Sequence, residues 1–223
     1  MIEHTVLSVI VGSHAQGLDT GESDVDRRGV YVPPTALFWR FEKPPASVDG
    51  PEQERLSWEV EHFLALGLKG NPNVLEVLAS DLLETCTPLG DELRALLPAL
   101  LSQRVADSYR RATAQQFARA AAAMASGGTP RWKQVMHVIR LLTQCDRMLT
   151  SGELVLRVGE HRSQLLAVKE GDVPWPDVVK WVEDLRDRTA RAVLRSPLPA
   201  VPDTAAVEDW LVSVRRRSAL EGQ

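Results

Sequence analysis

Apolar and β-branched residues cluster in the first third of the chain in patterns typical of strands. Residues 5–11, Thr-Val-Leu-Ser-Val-Ile-Val, form a continuous apolar run that predicts a strand buried on both faces of a sheet. Residues 24–32 alternate and are rich in valine, which predicts a second strand, and Pro33-Pro34 ends it. Residues 55–60 predict a third strand that continues into a helix. The segment 42–54 is rich in Pro, Gly and acidic residues and is interpreted as a flexible loop.

From residue 71 onwards the pattern is helical. Asn71-Pro72 has the residues preferred at a helix N-cap and at the first helical position. Asp203 is expected to cap the final helix after a proline-rich linker. Beyond the helix that begins at 71, helices are predicted over 91–101, 103–126, 130–151, 162–170, 177–195 and 204–220. The predicted class is α+β, a small mixed sheet with flanking helices over 1–98 followed by a helical bundle over 99–223.

Composition and charge narrow the functional classes. The chain has 223 residues, of which 44% are hydrophobic and 25% charged, and these values exclude intrinsic disorder, a collagen-like repeat and a coiled-coil rod. The formal net charge of −4 excludes a generally basic nucleic-acid binder. However, residues 1–100 carry 7 Lys and Arg against 16 Asp and Glu, whereas residues 101–223 carry 19 against 14. The acidic first part and the basic second part therefore differ in the ligands that they would attract.

Cysteine usage and hydropathy point to a reducing compartment. The two cysteines, Cys86 and Cys145, are far apart, so neither a structural zinc site nor a disulfide framework is expected. The first residues lack a basic region followed by an apolar run, so no signal peptide is expected. No stretch of about 18 apolar residues is present, and no membrane span is expected. We therefore expect a cytoplasmic protein without a membrane partner.

The segment 11–30 carries the clearest chemical signal. Gly12-Ser13 follows the first strand, and Asp24 and Asp26 are two positions apart on the second predicted strand, so their side chains are expected to share a face. Two neighbouring carboxylates repel unless a cation lies between them, and Mg²⁺ prefers such ligands together with substrate phosphates. Gly12 would allow a phosphate to approach the backbone, and Ser13 could donate hydrogen bonds to it. These residues favour metal-assisted phosphoryl or nucleotidyl transfer, with an acidic surface turn as the alternative.

Several basic residues are candidates for contacts with phosphates. Arg28 is expected to share the face of Asp26, and His14 follows Ser13 directly. Lys133, His137 and Arg140 are spaced i, i+4 and i+7 on the predicted helix 130–151, so they form one polar stripe. The alternatives are a surface salt bridge for Arg28, a loop histidine without a role for His14, and a solvated helix face for the stripe.

The six tryptophans are scattered along the chain. They are interpreted as residues that pack in the core and between domains, and base stacking by one of them is the alternative. They are Trp39, Trp58, Trp132, Trp175, Trp181 and Trp210.

The strings Gly-Ser-His-Ala-x-Gly-Leu at 12–18 and Ser-Asp-x-Asp-x-Arg-Gly-Val at 23–30 resemble a known signature. Gly-Ser after the first strand and Asp-x-Asp on the second are similar to the DNA polymerase beta-like nucleotidyltransferase superfamily. The longer strings resemble its bacterial and phage family of predicted nucleotidyltransferases, which includes RNA-ligase-associated members. Residues 69–78 and 133–142 also agree with that family, so the resemblance covers nearly the whole chain.

The resemblance implies an enzyme that transfers a nucleoside monophosphate from a nucleoside triphosphate to an acceptor hydroxyl and releases pyrophosphate. It implies that Gly12 and Ser13 hold the phosphates and that Asp24 and Asp26 bind Mg²⁺, with Mn²⁺ as an alternative. His14, Arg28, Lys133, His137 and Arg140 are the further candidates for nucleotide contacts.

The superfamily also implies a third carboxylate, for which Glu59 is preferred, Glu54 is the runner-up and Glu61 is a further candidate. The acceptor could be an RNA end, a protein side chain or a small molecule, and RNA is suggested by association with the family. A protein-modifying (AMPylating) enzyme and a degenerate, non-catalytic nucleotide-binding module are the rival functions.

Overall fold

The computed structural model describes residues 3–50 and 55–221, and it has the predicted α+β class. The strands form one mixed sheet in the order β3-β4-β2-β1-β5. They are β1 (Thr5–Ile10), β2 (Arg27–Tyr31), β3 (Ser47–Asp49), β4 (Arg55–Glu59) and β5 (Leu83–Cys86). β1 is antiparallel to both β2 and β5, β2 is parallel to β4, and β3 is antiparallel to β4.

The helices follow the predicted order, with α2 and α3 between β4 and β5. They are α1 (Gly12–Gln16), α2 (Val60–Gly67), α3 (Pro72–Ala79), α4 (Pro88–Arg94), α5 (Leu97–Leu100), α6 (Arg104–Ala125), α7 (Trp132–Ser151), α8 (Arg162–Glu170), α9 (Trp175–Val193) and α10 (Thr204–Glu221). Short 3₁₀ helices lie at Thr35–Trp39 and Gly159–His161. Every helix in the described part of the chain is too short or too polar to span a lipid bilayer.

Two of the predicted helix caps are confirmed. The Asn71 side chain accepts a hydrogen bond from the Asn73 N–H at 3.0 Å, and Asp203 Oδ1 accepts one from the Ala206 N–H at 3.0 Å. Both interactions satisfy backbone donors that the first turn of a helix leaves without partners. Local sequence therefore sets where α3 and α10 begin.

The sheet has two strands that the sequence pattern did not predict. β3 lies within the segment predicted as a flexible loop, and β5 lies between α3 and α4. They are the two edge strands, with three and four residues. Strands this short carry too few positions for a recognisable alternation, and their pairing with β4 and β1 is a property of the fold.

The described residues fall into two compact units. The first, here called the sheet unit, comprises described residues within 1–15, 19–100 and 202–223. The second, here called the helical unit, comprises 16–18 and 101–201. The division at 100/101 is close to the expected boundary at 98/99, but the last helix, α10, groups with the sheet unit instead of the bundle.

The core of the sheet unit is formed by β1 together with α2 and α3. Leu7 and Val9 of β1 are fully buried, as are Val60 and Phe63 of α2 and Val74 of α3. Burial of this apolar surface supplies the main favourable free energy for packing helices on the sheet.

Polar contacts attach α10 to the same unit. Arg217 donates two hydrogen bonds to the carboxylate of Glu92 at 2.8 and 2.6 Å, and Trp210 Nε1 donates a third at 2.9 Å. The two hydrogen bonds from Arg217 lower the pKa of Glu92. The final helix is therefore held by hydrogen bonds to one side chain of α4, Glu92, in addition to general packing.

The helical unit is built around α7, which contacts α6, α8 and α9. Val138, Ile139 and Leu142 of α7 are at most 2% exposed within one apolar cluster, to which Leu18 also belongs. Gln16 and Gly17 are bound to the same unit, because the Val158 N–H donates to Gln16 O at 3.0 Å and Arg162 Nε to Gly17 O at 2.9 Å.

The tryptophans divide into packed and exposed residues. Trp58 is buried in the sheet unit, and three others pack against the core of the helical unit, namely Trp132, Trp175 and Trp181. Trp39 is 73% exposed, so its interpretation as a packing residue is wrong.

Candidate active site

The turn between β1 and α1 places Gly12 against a carboxylate. Gly12 has φ +67°, a backbone conformation that favours glycine. A Cβ atom added at this position would lie 2.5 Å from Asp26 Oδ2, so a side chain there would force the carboxylate to move. The Val11 N–H also donates to Asp26 O at 2.9 Å. The sheet unit therefore brings together Gly12 and Asp26, two residues that the sequence motif had linked.

Asp24 and Asp26 immediately precede β2, which begins at Arg27. The second strand was predicted to begin at residue 24, and this is wrong for residues 24–26, because β2 begins at Arg27. They lie before the regular ladder, and Asp24 is exposed to solvent. Both carboxylates are thus accessible at the end of the sheet where Gly12 turns.

Arg28 lies next to this end, as predicted from the alternation. Its Nη2 is 3.4 Å from Asp26 Oδ1, and its Nη1 donates to Arg27 O at 2.8 Å. The Asp26 side chain is 31% exposed and that of Arg28 is 25% exposed. A long contact at this exposure is a weak ion pair, which a phosphate group could compete for.

Ser13 and His14 occupy the first turn of α1 and are both half-buried. The His14 ring faces the 19–23 segment, with Nε2 3.3 Å from Ser23 O and Nδ1 3.9 Å from Asp19 Oδ2. His14 therefore orders the segment that leads to Asp24.

Glu59 does not join these residues, and the prediction that it is the third metal ligand is not supported by its position. It is the last residue of β4 and pairs with Tyr31, five residues beyond Asp26 along the neighbouring strand. At about 3.3 Å per residue, the five residues from Asp26 to Tyr31 place Asp26 about 16 Å from the end of the sheet where Glu59 lies.

The carboxylate of Glu59 has a structural role instead. Its Oε2 accepts hydrogen bonds from the N–H groups of Glu61 at 2.8 Å and His62 at 3.3 Å, which caps α2. Its Oε1 accepts one from Arg215 Nη2 of α10 at 2.5 Å, and the Glu59 side chain is 5% exposed. Both oxygens of this buried carboxylate are therefore committed to the fold.

The two other candidates for the third carboxylate are Glu61 and Glu54. The Glu61 side chain is 63% exposed, and its Oε2 is 3.5 Å from Arg215 Nη2 at the same far end of the sheet. Glu54 lies outside the described residues. Within residues 3–50 and 55–221, no three His, Cys, Asp or Glu side chains lie close enough to hold a metal ion together.

A charged cluster that the sequence did not reveal lies on the sheet and includes Arg27, the residue that follows Asp26 in the chain. Glu84 of β5 accepts hydrogen bonds from Arg27 Nε at 2.7 Å, Arg55 Nη2 at 3.3 Å and Ser8 Oγ at 3.2 Å. These partners belong to β2, β4 and β1, so one carboxylate joins four strands. In the sequence, Glu84 is an ordinary acidic residue in a segment too short to be recognised as a strand, so the sequence pattern did not predict the cluster.

The expected basic stripe belongs to the helical unit and is not uniform. Lys133 is exposed, His137 is half-buried and Arg140 is 3% exposed on α7. Burial and the neighbouring Arg140 lower the pKa of His137 to about 3, so its ring is neutral at physiological pH. Its Nδ1 accepts a hydrogen bond from Arg140 Nη2 at 3.3 Å. The stripe therefore carries two cations instead of three.

A cleft of about 470 Å³ also opens in the sheet unit, away from Asp26. It is lined by the start of β1, the residues after β2, and parts of α4 and α10, including Thr5, Val32, Glu92 and Arg217. The charged groups Glu92 and Arg217 are already paired with each other there.

Comparisons with known proteins identify the family of the chain. A family model described as "RNA repair pathway DNA polymerase beta family" matches residues 3–213. An uncharacterized protein, YcgL of Bacillus subtilis (strain 168), is 35% identical over 80 residues, which cover 34% of this chain and 31% of that protein. The chain thus matches about a third of that relative's length, and no solved structure matches. Because the family model covers nearly the whole chain, the protein belongs to the RNA repair pathway DNA polymerase beta family of nucleotidyltransferases.

Proposed function

We propose that the protein is a magnesium-dependent nucleotidyltransferase that acts on an RNA end. The observation that carries this proposal is the packing of Asp26 Oδ2 over the α-carbon of Gly12, with Asp24 exposed two residues earlier. This arrangement offers carboxylate oxygens beside a residue that has no side chain of its own. It is the combination that a metal-bound triphosphate requires.

The residues present fit Mg²⁺. One or two carboxylates, completed by water and substrate phosphates, are its usual ligand set, and Asp24 and Asp26 supply two carboxylates. Bound there, the ion would neutralise the triphosphate and stabilise the leaving pyrophosphate. Gly12 and Ser13 would contact the phosphates, and Arg28, whose contact with Asp26 is long, would offer a guanidinium to them.

In the proposed reaction, the oxygen of the acceptor hydroxyl forms a bond with the α-phosphorus. The bond from the α-phosphorus to the oxygen that bridges to the β-phosphate breaks, and pyrophosphate leaves with that electron pair. The hydroxyl proton must pass to a base, which is the role assigned to the third carboxylate.

Glu54 is the preferred third carboxylate, because Glu59 and Glu61 lie at the other end of the sheet. Glu54 itself lies outside the described residues, and its position in the sequence nominates it. It is the remaining one of the three acids that the resemblance nominated.

The test measures pyrophosphate release from each nucleoside triphosphate, with Mg²⁺ or Mn²⁺ and a single-stranded RNA acceptor. Asp24→Asn, Asp26→Asn and Glu54→Gln should each abolish release, whereas Glu61→Gln is the matched control and should retain it. Retained release in Asp26→Asn would refute the proposal. Transfer to protein but not to RNA would identify the protein-modifying rival instead.

A second candidate function is nucleotide binding without turnover. It is favoured by the lack of a third acid near Asp24 and Asp26 within the described ranges. Equilibrium binding of a triphosphate that persists in the wild type, with no pyrophosphate release on any acceptor, would support this alternative.

A further inference from the structure

Two large aromatic side chains project into solvent from the segment that follows β2. Trp39 is 73% exposed and Phe41 is fully exposed. Among the exposed large apolar side chains of the described ranges, these are the aromatic ones, and they are separated by a single residue. Exposing both rings costs free energy, which indicates a binding role.

The segment is anchored on both sides of the exposed rings. The Thr35 N–H donates to Ser218 Oγ at 3.0 Å, and Thr35 Oγ1 donates to Arg215 O at 2.9 Å. The Arg215 guanidinium lies 4.0 Å from the centre of the Phe38 ring. The Tyr31 hydroxyl donates to Pro45 O on the far side.

A further contact closes the segment on itself. Lys43 Nζ donates to Phe38 O, which joins the residue before Trp39 to the second residue after Phe41. The segment is thus held at Thr35, Phe38 and Lys43, yet Trp39 and Phe41 remain outside. Preorganisation of this kind reduces the entropy lost when a ligand binds.

Two cationic residues accompany the rings. In the order Trp39-Arg40-Phe41-Glu42-Lys43, Arg40 lies between the rings and Lys43 follows them after Glu42. Rings interleaved with cations are suited to single-stranded nucleic acid, because bases stack on the rings and phosphates meet the cations. A protein interface would more often bury its aromatic core within an apolar patch and place charge at the rim.

We propose that Trp39, Arg40, Phe41 and Lys43, here called the aromatic platform, bind unpaired bases of the acceptor RNA. This inference rests on the proposed RNA acceptor. The platform follows the end of β2 that is distant from Asp26 by about 16 Å at strand spacing. Because stacked nucleotides rise about 3.4 Å each, an RNA needs about five nucleotides to span the length of β2 alone.

The test is fluorescence anisotropy with a 5′-labelled, unstructured 12-nucleotide RNA, without nucleoside triphosphate. Trp39→Ala and Phe41→Ala should each weaken binding on the order of tenfold, and the double variant more. Trp39→Phe should restore most of the affinity. Leu194→Ala, which removes an 84% exposed side chain elsewhere, is the matched control and should not change it.

Three results would overturn the platform. In the first, the double variant binds single-stranded RNA with an affinity within about twofold of the wild type. In the second, the double variant loses as much affinity for the same RNA in a duplex as for the single strand. In the third, the wild type shows no measurable binding. Self-association of the wild type that the double variant abolishes, with RNA affinity unchanged, would assign the rings to a protein interface.

Failure of the platform and failure of the proposed function are distinguishable. Asp26→Asn should bind the 12-nucleotide RNA normally and release no pyrophosphate. The double platform variant should bind it weakly and retain turnover on a dinucleotide acceptor, which is too short to reach the platform. Because both rings are exposed, thermal unfolding should be unchanged in the platform variants.

Discussion

The substitution Glu59→Gln separates a structural role of this side chain from a catalytic one. The amide would keep an oxygen to cap α2, but its nitrogen would place a donor opposite the Arg215 guanidinium. The native pair joins Glu59 Oε1 to Arg215 Nη2 at 2.5 Å, with the two side chains 5% and 17% exposed. The substitution therefore removes a buried, charge-assisted hydrogen bond and leaves the cation in place.

Removing one partner of a buried ion pair costs about 3–5 kcal/mol. Here Arg215 keeps two other contacts, Glu61 Oε2 at 3.5 Å and the Phe38 ring at 4.0 Å, and it is partly solvated. We therefore expect a loss of about 2–3 kcal/mol, which for a chain of this size corresponds to a decrease in Tm of about 4–12 °C.

The assay combines thermal unfolding with pyrophosphate release below the transition. Glu59→Gln should lose stability but keep turnover within about twofold, because the reacting end of the sheet is distant. Arg215→Met should be similarly destabilised, and the double variant should lose less than the sum of the two. Glu61→Gln is the control, with an expected loss below about 0.5 kcal/mol.

One outcome would refute this reasoning. If Glu59→Gln abolished turnover and left Tm unchanged, Glu59 would be a catalytic carboxylate as the sequence predicted. The capping and the contact with Arg215 would then be incidental to its function.

Three further predictions concern single positions. Gly12→Ala should abolish turnover because the new Cβ displaces Asp26. Gly127 is the control, since it has φ +75° and open space around it, so Gly127→Ala should keep turnover and lower stability only by the backbone strain of about 1–2 kcal/mol. Equal turnover in the two variants would contradict this prediction. The pKa of His137 is lowered to about 3, so its ring should show no titration by NMR between pH 5 and 8. Its contribution to stability should therefore be complete above about pH 6.5 and be lost as the pH decreases towards 3. A titration midpoint near pH 6.5 would contradict the burial of the ring. Burial raises the pKa of the Cys145 thiol to about 12, so iodoacetamide at pH 8 should modify it only in denaturant, as mass spectrometry of the native protein would check.

The residues that the sequence identified share one property, which is that the role of each depends on residues close to it in the chain. The caps Asn71 and Asp203 act on N–H groups two or three residues away. Gly152 ends α7 with φ +80°, directly after residue 151, where the predicted helix ended. The Gly12-Ser13 and Asp24-x-Asp26 strings were recognisable because both lie within one short segment.

Other features depend on residues that are distant in the sequence. Glu59 is 156 residues from its partner Arg215, and Glu84 is 57 residues from Arg27. No local pattern encodes such pairs, so the sequence left Glu59 available as a ligand and gave Glu84 no role. The placement of α10 with the sheet unit has the same origin, since its contact with Glu92 spans more than a hundred residues.

The sequence by itself determined the α+β class, the helices, the glycine turn and the aspartate pair, because side-chain period, capping and backbone freedom act over a few residues. The tertiary structure decided which carboxylates are accessible, which cations are paired, and that Trp39 lies outside the core. Burial and charge pairing are set by which surfaces meet, and the chain brings those surfaces together only when it folds.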